Sequence, residues 1–308
     1  MAEDRKINSF KISVVVPAYN EEKNISPLLD NFAKMFKESS LRGEVLIVND
    51  GSTDKTFELA KELEKKYSFL KALSNKTHRG VTAALQTGFK NATGDIYLFW
   101  PADLQYLPED IPKFVRKIEE GSDIVTGWKQ GRYGIKTFVS FFYNLLSRWL
   151  FKVKVHDLNS VKAFRKEVLE NIALRKDWHR YMVVMAVEKG FKIDEVKIPL
   201  YPRKYGKSKF GFWRIPIGVL DLFSVKFQVS FMRKPMLFFG SIGLILLFLG
   251  FLTGLIALYL RIFQHEGLRP LLYLVILLIL SGISLFGLGF LAEAIVSLKE
   301  EIEDLRKK

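Results

Sequence analysis

Cysteine is absent from the 308-residue chain. That excludes disulfides, thiolate zinc sites and a cysteine nucleophile. Histidine is scarce. His78, His156, His179 and His265 are scattered without metal-ligand spacing, so a His-rich metal site is not expected. The first ten residues are polar and charged and contain no apolar signal-peptide core. The front of the chain is therefore expected to stay in the cytoplasm. No G-x-G-x-x-G follows the first predicted strand, which disfavours a dinucleotide cofactor. Gly206-Lys207-Ser208 is not a Walker A loop, because Tyr201 stands where the upstream glycine belongs. No internal repeat or low-complexity tract is present.

What the chain does have is positive charge and a greasy rear. Lys and Arg number 47 against 33 Asp and Glu, a formal net charge of +14. Such a balance suggests anionic partners: nucleic acid, anionic lipid or phosphorylated substrates. Hydrophobic residues make up 49% of the chain and concentrate after residue 235. Segments 236–260 and 271–292 carry no charge, and each suffices to cross a bilayer. The link 261–270 is too short for a domain, so the two form a hairpin. Arg233 and Lys234 precede the first span and Arg306, Lys307 and Lys308 follow the second. By the positive-inside rule both ends lie in the cytoplasm. Membrane spans favour lipid and phosphate over nucleic acid as the partners of the basic charge.

Residues 12–126 alternate between two patterns. β-branched runs fall at 12–16, 45–48, 96–100 and 124–126, with a weaker one at 69–73. Helical spacing fills 25–36, 56–66, 81–91 and 111–119. Alternation of this kind predicts an α/β domain, a mostly parallel sheet with flanking helices. Ligands of such sheets gather at the carboxyl ends of the strands. Segments 135–153 and 212–232 mix aromatic and aliphatic residues with Lys and Arg. They read either as amphipathic helices in the membrane interface or as core helices on the sheet. The expected organisation is a catalytic domain over 1–210, a juxtamembrane helix over 211–234, a transmembrane hairpin over 235–295 and a charged tail over 296–308.

Three strand ends carry the chemistry: Pro17-Ala18-Tyr19-Asn20-Glu21-Glu22, Asn49-Asp50-Gly51-Ser52-Thr53-Asp54 and Pro101-Ala102-Asp103-Leu104-Gln105. An acid at a strand end accepts hydrogen bonds from a base imide or ribose, and a tyrosine stacks on a base. A carboxylate beside an amide oxygen suits Mg²⁺ or Mn²⁺ held against a diphosphate, because hard cations take oxygen ligands. Taken singly, Asp-Gly-Ser-Thr-Asp is often only a turn and a helix cap. Three such motifs in order form a far more specific signal.

That order resembles the inverting family 2 glycosyltransferases of GT-A (Rossmann-like) fold. The resemblance continues through Asp157 in His156-Asp157-Leu158-Asn159-Ser160, Lys162-Ala163-Phe164-Arg165, His179-Arg180 and Arg203-Lys204-Tyr205-Gly206-Lys207-Ser208-Lys209. With the two C-terminal spans it looks like the subgroup that glycosylates dolichyl or undecaprenyl phosphate. The resemblance implies that Pro17, Tyr19, Glu21, Asp50, Ala102 and Asp103 bind the nucleotide-sugar, with Lys129 near its phosphates. It assigns Asp103 and Gln105 to the metal. Arg203, Lys207, Ser208 and Lys209 match a mobile basic segment that closes over phosphate, and His179 and Arg180 are placed near the acceptor. Two departures stand out. Pro101 replaces the family's usual Asp two residues before Asp103, and the Asp157 segment is one residue shorter than usual.

The implied reaction moves one hexose from a nucleotide-sugar, UDP-glucose favoured over GDP-mannose, onto a polyprenyl phosphate. An ionised phosphate needs no strong base, its second pKa being about 6. Asp103 and Asp157 are the catalytic candidates; Asp157 is a base, an orienting carboxylate or a loop-fixing group. The resemblance also admits a homotetramer. Two other readings compete. A processive polysaccharide synthase normally has more spans and a Gln-x-x-Arg-Trp motif, and here Leu145 replaces the Gln before Arg148-Trp149. A non-catalytic nucleotide-sugar-binding scaffold rests on Pro101 alone.

Overall fold

The structure is a computed structural model that describes residues 10–131, 155–172, 178–205, 222–227, 234–265 and 269–305, with a few isolated positions between them. The chain divides into two compact units, Met1–Ile215 and Pro216–Lys308.

The first unit is built on strands β1 (Lys11–Ala18), β2 (Arg42–Asn49), β3 (Leu70–Ser74), β4 (Ile96–Phe99), β5 (Ile124–Gln130), β6 (Lys162–Arg165) and β7 (Ile193–Pro199). They form one sheet in the order β3-β2-β1-β4-β6-β5-β7. The β3, β2, β1 and β4 half is parallel throughout. β6 runs antiparallel between β4 and β5, and β7 pairs parallel to β5. The expected mostly parallel sheet with flanking helices is therefore observed.

Both faces of the centre of the parallel half are buried, which is why β1, β2 and β4 carry apolar runs such as Val14–Val16, Val45–Val48 and Ile96–Phe99. Val14 and Val16 of β1 join Ile25, Leu28 and Phe32 of α1 (Glu22–Ser39) on one face. Val15 turns to the other, with Leu46, Val48 and the Ala84 and Leu85 of α3 (Val81–Asn91). Gly88 makes the second contact close: a Cβ there would lie 2.2 Å from Val15 Cγ1. α2 (Thr56–Glu64) and α4 (Ile111–Glu119) complete the parallel half, Phe114 and Ile118 of α4 reaching the same core as α1. Beyond β5 come α5 (Lys166–Asn171), a 3₁₀ turn at Trp178–Tyr181 and α6 (Met182–Glu188).

Most of 135–153 and of 211–234 lies outside the described residues. Phe151 and Val153 at the end of the first stretch are buried, so that end belongs to a core.

In the second unit a π-helical turn at Met236–Gly240 leads into α7 (Ser241–Phe263), and α8 (Arg269–Leu305) returns. α8 runs on as helix through most of the segment read as a tail. Met236–Phe263 and Arg269–Leu298 are each long and apolar enough to cross a membrane, and little of either is buried. A core helix of a soluble protein would have covered side chains such as Phe248, Phe251 and Leu277, which are more than half exposed. The two helices touch backbone to backbone at glycine: a Cβ on Gly243 would meet Gly282 O at 2.8 Å. The Glu293 carboxylate accepts the Met236 N–H at 3.1 Å.

Candidate active site

The turns after β1 and β2 are stitched into one wall. Asn20 N–H donates to Ser52 Oγ at 2.9 Å and Thr53 N–H to Asn20 Oδ1 at 2.8 Å. Glu21 N–H donates to Thr56 Oγ1 at 2.9 Å, tying the start of α1 to the start of α2. Tyr19, Glu21 and Asp50 all stand on this wall. The buried Asp50 carboxylate gathers the loop that precedes α3: Asn75 Nδ2 at 2.8 Å, the Arg79 and Gly80 N–H groups at 3.1 and 2.6 Å, and His78 Nδ1 at 2.9 Å. His78 in turn stacks on Tyr19 with ring centroids 3.9 Å apart. The loop 75–80 is thus part of the wall. Sequence reading missed it, because its polar residues look like any connection. A cleft of about 330 Å³ opens beside it, lined by His78, Arg79, Thr82, Ala83 and Gln86.

The turn after β4 carries Ala102, Asp103 and Gln105. Leu104 between them has φ of 58°, a left-handed conformation that is an outlier for a bulky residue and marks a constrained turn. Asp103 Oδ1 accepts the Gln105 N–H at 3.2 Å. Asp103 Oδ2 faces Arg203, whose Nε lies at 3.0 Å and Nη2 at 2.8 Å. The segment carrying Arg203 follows β7 and is docked by Tyr201 N–H, which donates to Gln105 O at 3.0 Å.

Asp157 lies in the loop before β6. Its Oδ2 is 2.8 Å from Lys129 Nζ of β5, its Oδ1 accepts the Asn159 N–H at 2.9 Å, and its backbone carbonyl accepts Thr126 Oγ1 at 3.1 Å. Tyr106 links the two acidic centres, with its hydroxyl 3.5 Å from Ser160 Oγ and its phenol sensing Lys129, Asp157 and Asp103. The structure therefore joins Asp103, Gln105 and Arg203 in one group and Asp157 and Lys129 in a second. Tyr106 lies between them, and sequence reading missed it although it directly follows Gln105. Lys207, Ser208 and Lys209 lie outside the described residues.

The glycosyl transferase family 2 model matches residues 13–173, which hold both acidic centres. The chain belongs to glycosyl transferase family 2. It is 33% identical over 302 residues to the dodecaprenyl-phosphate galacturonate synthase of Rhizobium johnstonii, covering 94% of this chain and 88% of that one. It is 32% identical over 210 residues to the dolichol-phosphate mannosyltransferase of Pyrococcus furiosus, covering 65% of this chain and 59% of that one. Among solved structures, glucosyl-3-phosphoglycerate synthase from Mycobacterium tuberculosis, in complex with Mn²⁺, UDP and glucosyl-3-phosphoglycerate, superposes with a TM-score of 0.56 at 19% identity. That match covers 72% of this chain and 80% of that one, and it shows the GT-A fold. The protein is accordingly a glycosyltransferase.

Charge in this family 2 site is arranged in pairs, with an excess of cation beneath. Burial works against the charge on Lys129, but Tyr106 and Asp157 outweigh it and hold the ammonium above its ordinary range. Burial pushes the Tyr106 phenol up. Lys162 of β6 is almost wholly inaccessible, and its Nζ donates to Ser160 O at 2.7 Å. Burial pushes it down to about 7, against the attraction of Asp157 and with the repulsion of Lys129 and Arg180. Burial, with Lys162 and Arg180 nearby, pushes His179 down to about 3. His179 is thus a neutral ring, with Nδ1 3.0 Å from Thr82 Oγ1. It joins the 3₁₀ turn to α3 rather than presenting charge. Arg180 Nε is buried without a hydrogen-bond partner.

Among the described residues no three His, Cys, Asp or Glu cluster as a metal site. The donors at the β4 turn are one carboxylate and one side-chain amide. They fit a hard cation that arrives with a diphosphate, since Mg²⁺ takes one or two carboxylates and completes its shell with phosphate oxygens and water. Without a diphosphate they offer an incomplete shell that holds a metal weakly.

Proposed function

We propose that this glycosyltransferase moves one hexose from a nucleotide-sugar to a polyprenyl phosphate, inverting the anomeric carbon, at the cytoplasmic face of a membrane spanned by α7 and α8. UDP-glucose is the favoured donor. The observation that carries the reading is a strand-end site in which Asp103 and Asp157 are each paired with a cation, while Arg180 lies beside them with its Nε buried and without a hydrogen-bond partner. Such a site suits two substrates that each bring phosphate. The relatives named for dodecaprenyl phosphate and dolichol phosphate support the acceptor class, and the match to the first extends over both apolar helices.

Tyr19 and the 75–80 loop form the wall for the base and ribose. Asp103 and Gln105 would hold Mg²⁺ or Mn²⁺, which when bound offsets charge on the departing diphosphate. Lys129, kept charged and aimed by Asp157, faces the donor phosphates. Arg180 takes the phosphate of the lipid, and the basic segment after β7 closes over the diphosphate. That phosphate is already ionised and attacks in line, so positioning and electrostatics supply the acceleration.

The test is a transfer assay with purified protein in detergent, Mg²⁺ or Mn²⁺, a polyprenyl phosphate and labelled UDP-glucose, GDP-mannose and UDP-galacturonate. A single monoglycosyl lipid, lost on chelation and in Asp103→Ala, is expected. No lipid product from any donor, with donor binding intact, refutes the reading. A polymer points to the processive alternative.

A further inference from the structure

The pairing of Arg203 with Asp103 uses the same atoms that the transferase reading reserves for a cation. Both Arg203 nitrogens converge on Asp103 Oδ2, Nε at 3.0 Å and Nη2 at 2.8 Å. The other oxygen is turned to the Gln105 N–H. Gln105 is held as well: its backbone carbonyl accepts the Tyr201 N–H at 3.0 Å, and its side-chain Nε2 donates to Tyr201 O at 3.4 Å. The 201–203 segment is therefore fastened to the 103–105 turn at the Asp103 carboxylate and at the backbone and side-chain Nε2 of Gln105. An sp² carboxylate oxygen offers two lone pairs in its plane, and here both are taken by the guanidinium. A cation seat with a second acid would have a carboxylate to spare. Pro101 stands at that place, and Asp103 is the single carboxylate on the turn.

We infer that Arg203 is a latch on the cation seat. It neutralises Asp103 and holds the 201–203 segment down in the nucleotide-free enzyme, and it leaves Asp103 when a divalent cation loads together with a nucleoside diphosphate. The inference rests on the transferase reading and adds to it an order of events. The released guanidinium has planar donors matched to phosphate oxygens, so the diphosphate gives Arg203 a new partner as it loses the old one. Cation and nucleotide are then bound cooperatively: alone, the cation competes with Arg203, whereas with the nucleotide it does not. Lys204 is carried on the same segment and moves with it.

The experiment measures Mn²⁺ binding to the full chain in detergent by the electron paramagnetic resonance of free Mn²⁺, with and without UDP, and with GDP in a parallel arm. Arg203→Gln is expected to bind Mn²⁺ without nucleotide roughly three- to tenfold more tightly than the wild type, the worth of a half-exposed ion pair. The enhancement of Mn²⁺ affinity by the nucleotide is expected to shrink by a similar factor, and Asp103→Asn to lose binding. Equal or weaker Mn²⁺ binding by Arg203→Gln overturns the latch. A second readout uses the wild type alone. Exchange of the Tyr201 amide hydrogen should quicken when Mn²⁺ and nucleotide are added together, and unchanged exchange overturns the latch equally. If the wild type transfers sugar while either result fails, the latch falls and the transferase reading stands. If the wild type binds neither nucleotide nor Mn²⁺, both fall.

Discussion

Replacing Asp157 by Asn removes a charge and leaves the shape. The amide oxygen still accepts the Asn159 N–H, so the loop before β6 should keep its path. Lys129, 2.8 Å from Asp157 with side-chain exposures of 23% and 7% for the pair, loses its counter-ion. Breaking a buried pair in this way costs about 3–5 kcal/mol, and the partial exposure of Lys129 argues for the low end, roughly 3 kcal/mol. With Asp157 gone, Lys129 loses the attraction and hydrogen bond that oppose its burial, while Tyr106 remains, and its pKa falls. The variant's ammonium then gives up its proton at lower pH than the wild-type group does. Transfer rates should drop about ten- to a hundredfold near neutrality, as expected for a misdirected electrostatic group. They should fall further toward alkaline pH, with that limb displaced to lower pH than in the wild type. The assay is a pH–rate profile with thermal unfolding in detergent on the same samples. The double variant Asp157→Asn with Lys129→Met decides the cause. It should regain stability over Asp157→Asn, because no orphaned charge remains, yet stay inactive. Near-normal turnover with an unchanged profile in Asp157→Asn would refute the argument, as would a double variant less stable than the single.

Lys162→Met tests the buried amine. Its displacement from 10.5 to about 7 is worth on the order of 4–5 kcal/mol against folding when fully expressed. Below pH 7 both states hold the proton and the penalty is complete. Between 7 and 10.5 only the unfolded state holds it, so wild-type stability should rise with pH relative to the Met variant. A melting-temperature difference that does not change with pH would refute this. In the hairpin, Gly282→Leu would place a Cβ 2.7 Å from Leu247 Cγ and 2.9 Å from Gly243 O. A loss of about 1–3 kcal/mol is expected, read as a lower melting temperature. Gly287→Leu, where a Cβ meets nothing within 4 Å, should leave it unchanged.

The first five strands and four helices were legible because the central strands are buried on both faces and each helix shows one apolar stripe; β3, with Lys71 only partly buried and Ser74 exposed, gave the weaker signal. β6 and β7 were not. Lys162-Ala163-Phe164-Arg165 is short and flanked by charge, and nothing local says that it inserts antiparallel between β4 and β5. That insertion decides much of the site. It sets Phe99 and Thr126 opposite Lys162 and thereby buries a lysine that composition alone places at the surface. It also returns the chain so that Asp157 meets Lys129, residues that no spacing rule relates. The pairing of β7 with β5 likewise delivers Tyr201 and Arg203 to the turn after β4. Motifs therefore named most of the polar participants, while their partners depended on the register of strands far apart in sequence. His179 shows the reverse. Its place beside Arg180 suggests an anion contact, yet burial keeps the ring neutral.

The state of the carboxylates also bears on which acceptor fits. A sugar hydroxyl must lose a proton as it attacks, so an enzyme that extends a polysaccharide needs a free base beside the acceptor. A phosphate is already ionised, and a bare carboxylate beside it would repel it. At 4 Å that repulsion is about 4 kcal/mol for unit charges at an effective dielectric of 20. In this structure Asp157 is neutralised by Lys129 and Asp103 by Arg203. Paired acids suit an acceptor that brings its own negative charge and supply little to one that must be deprotonated. The same pairing explains how a site can be rich in acids at its strand ends and still attract two phosphorylated substrates. On this argument the lipid phosphate is favoured over the growing polysaccharide because Lys129 neutralises Asp157 and Arg203, or the cation that replaces it, neutralises Asp103, independently of how many helices cross the membrane.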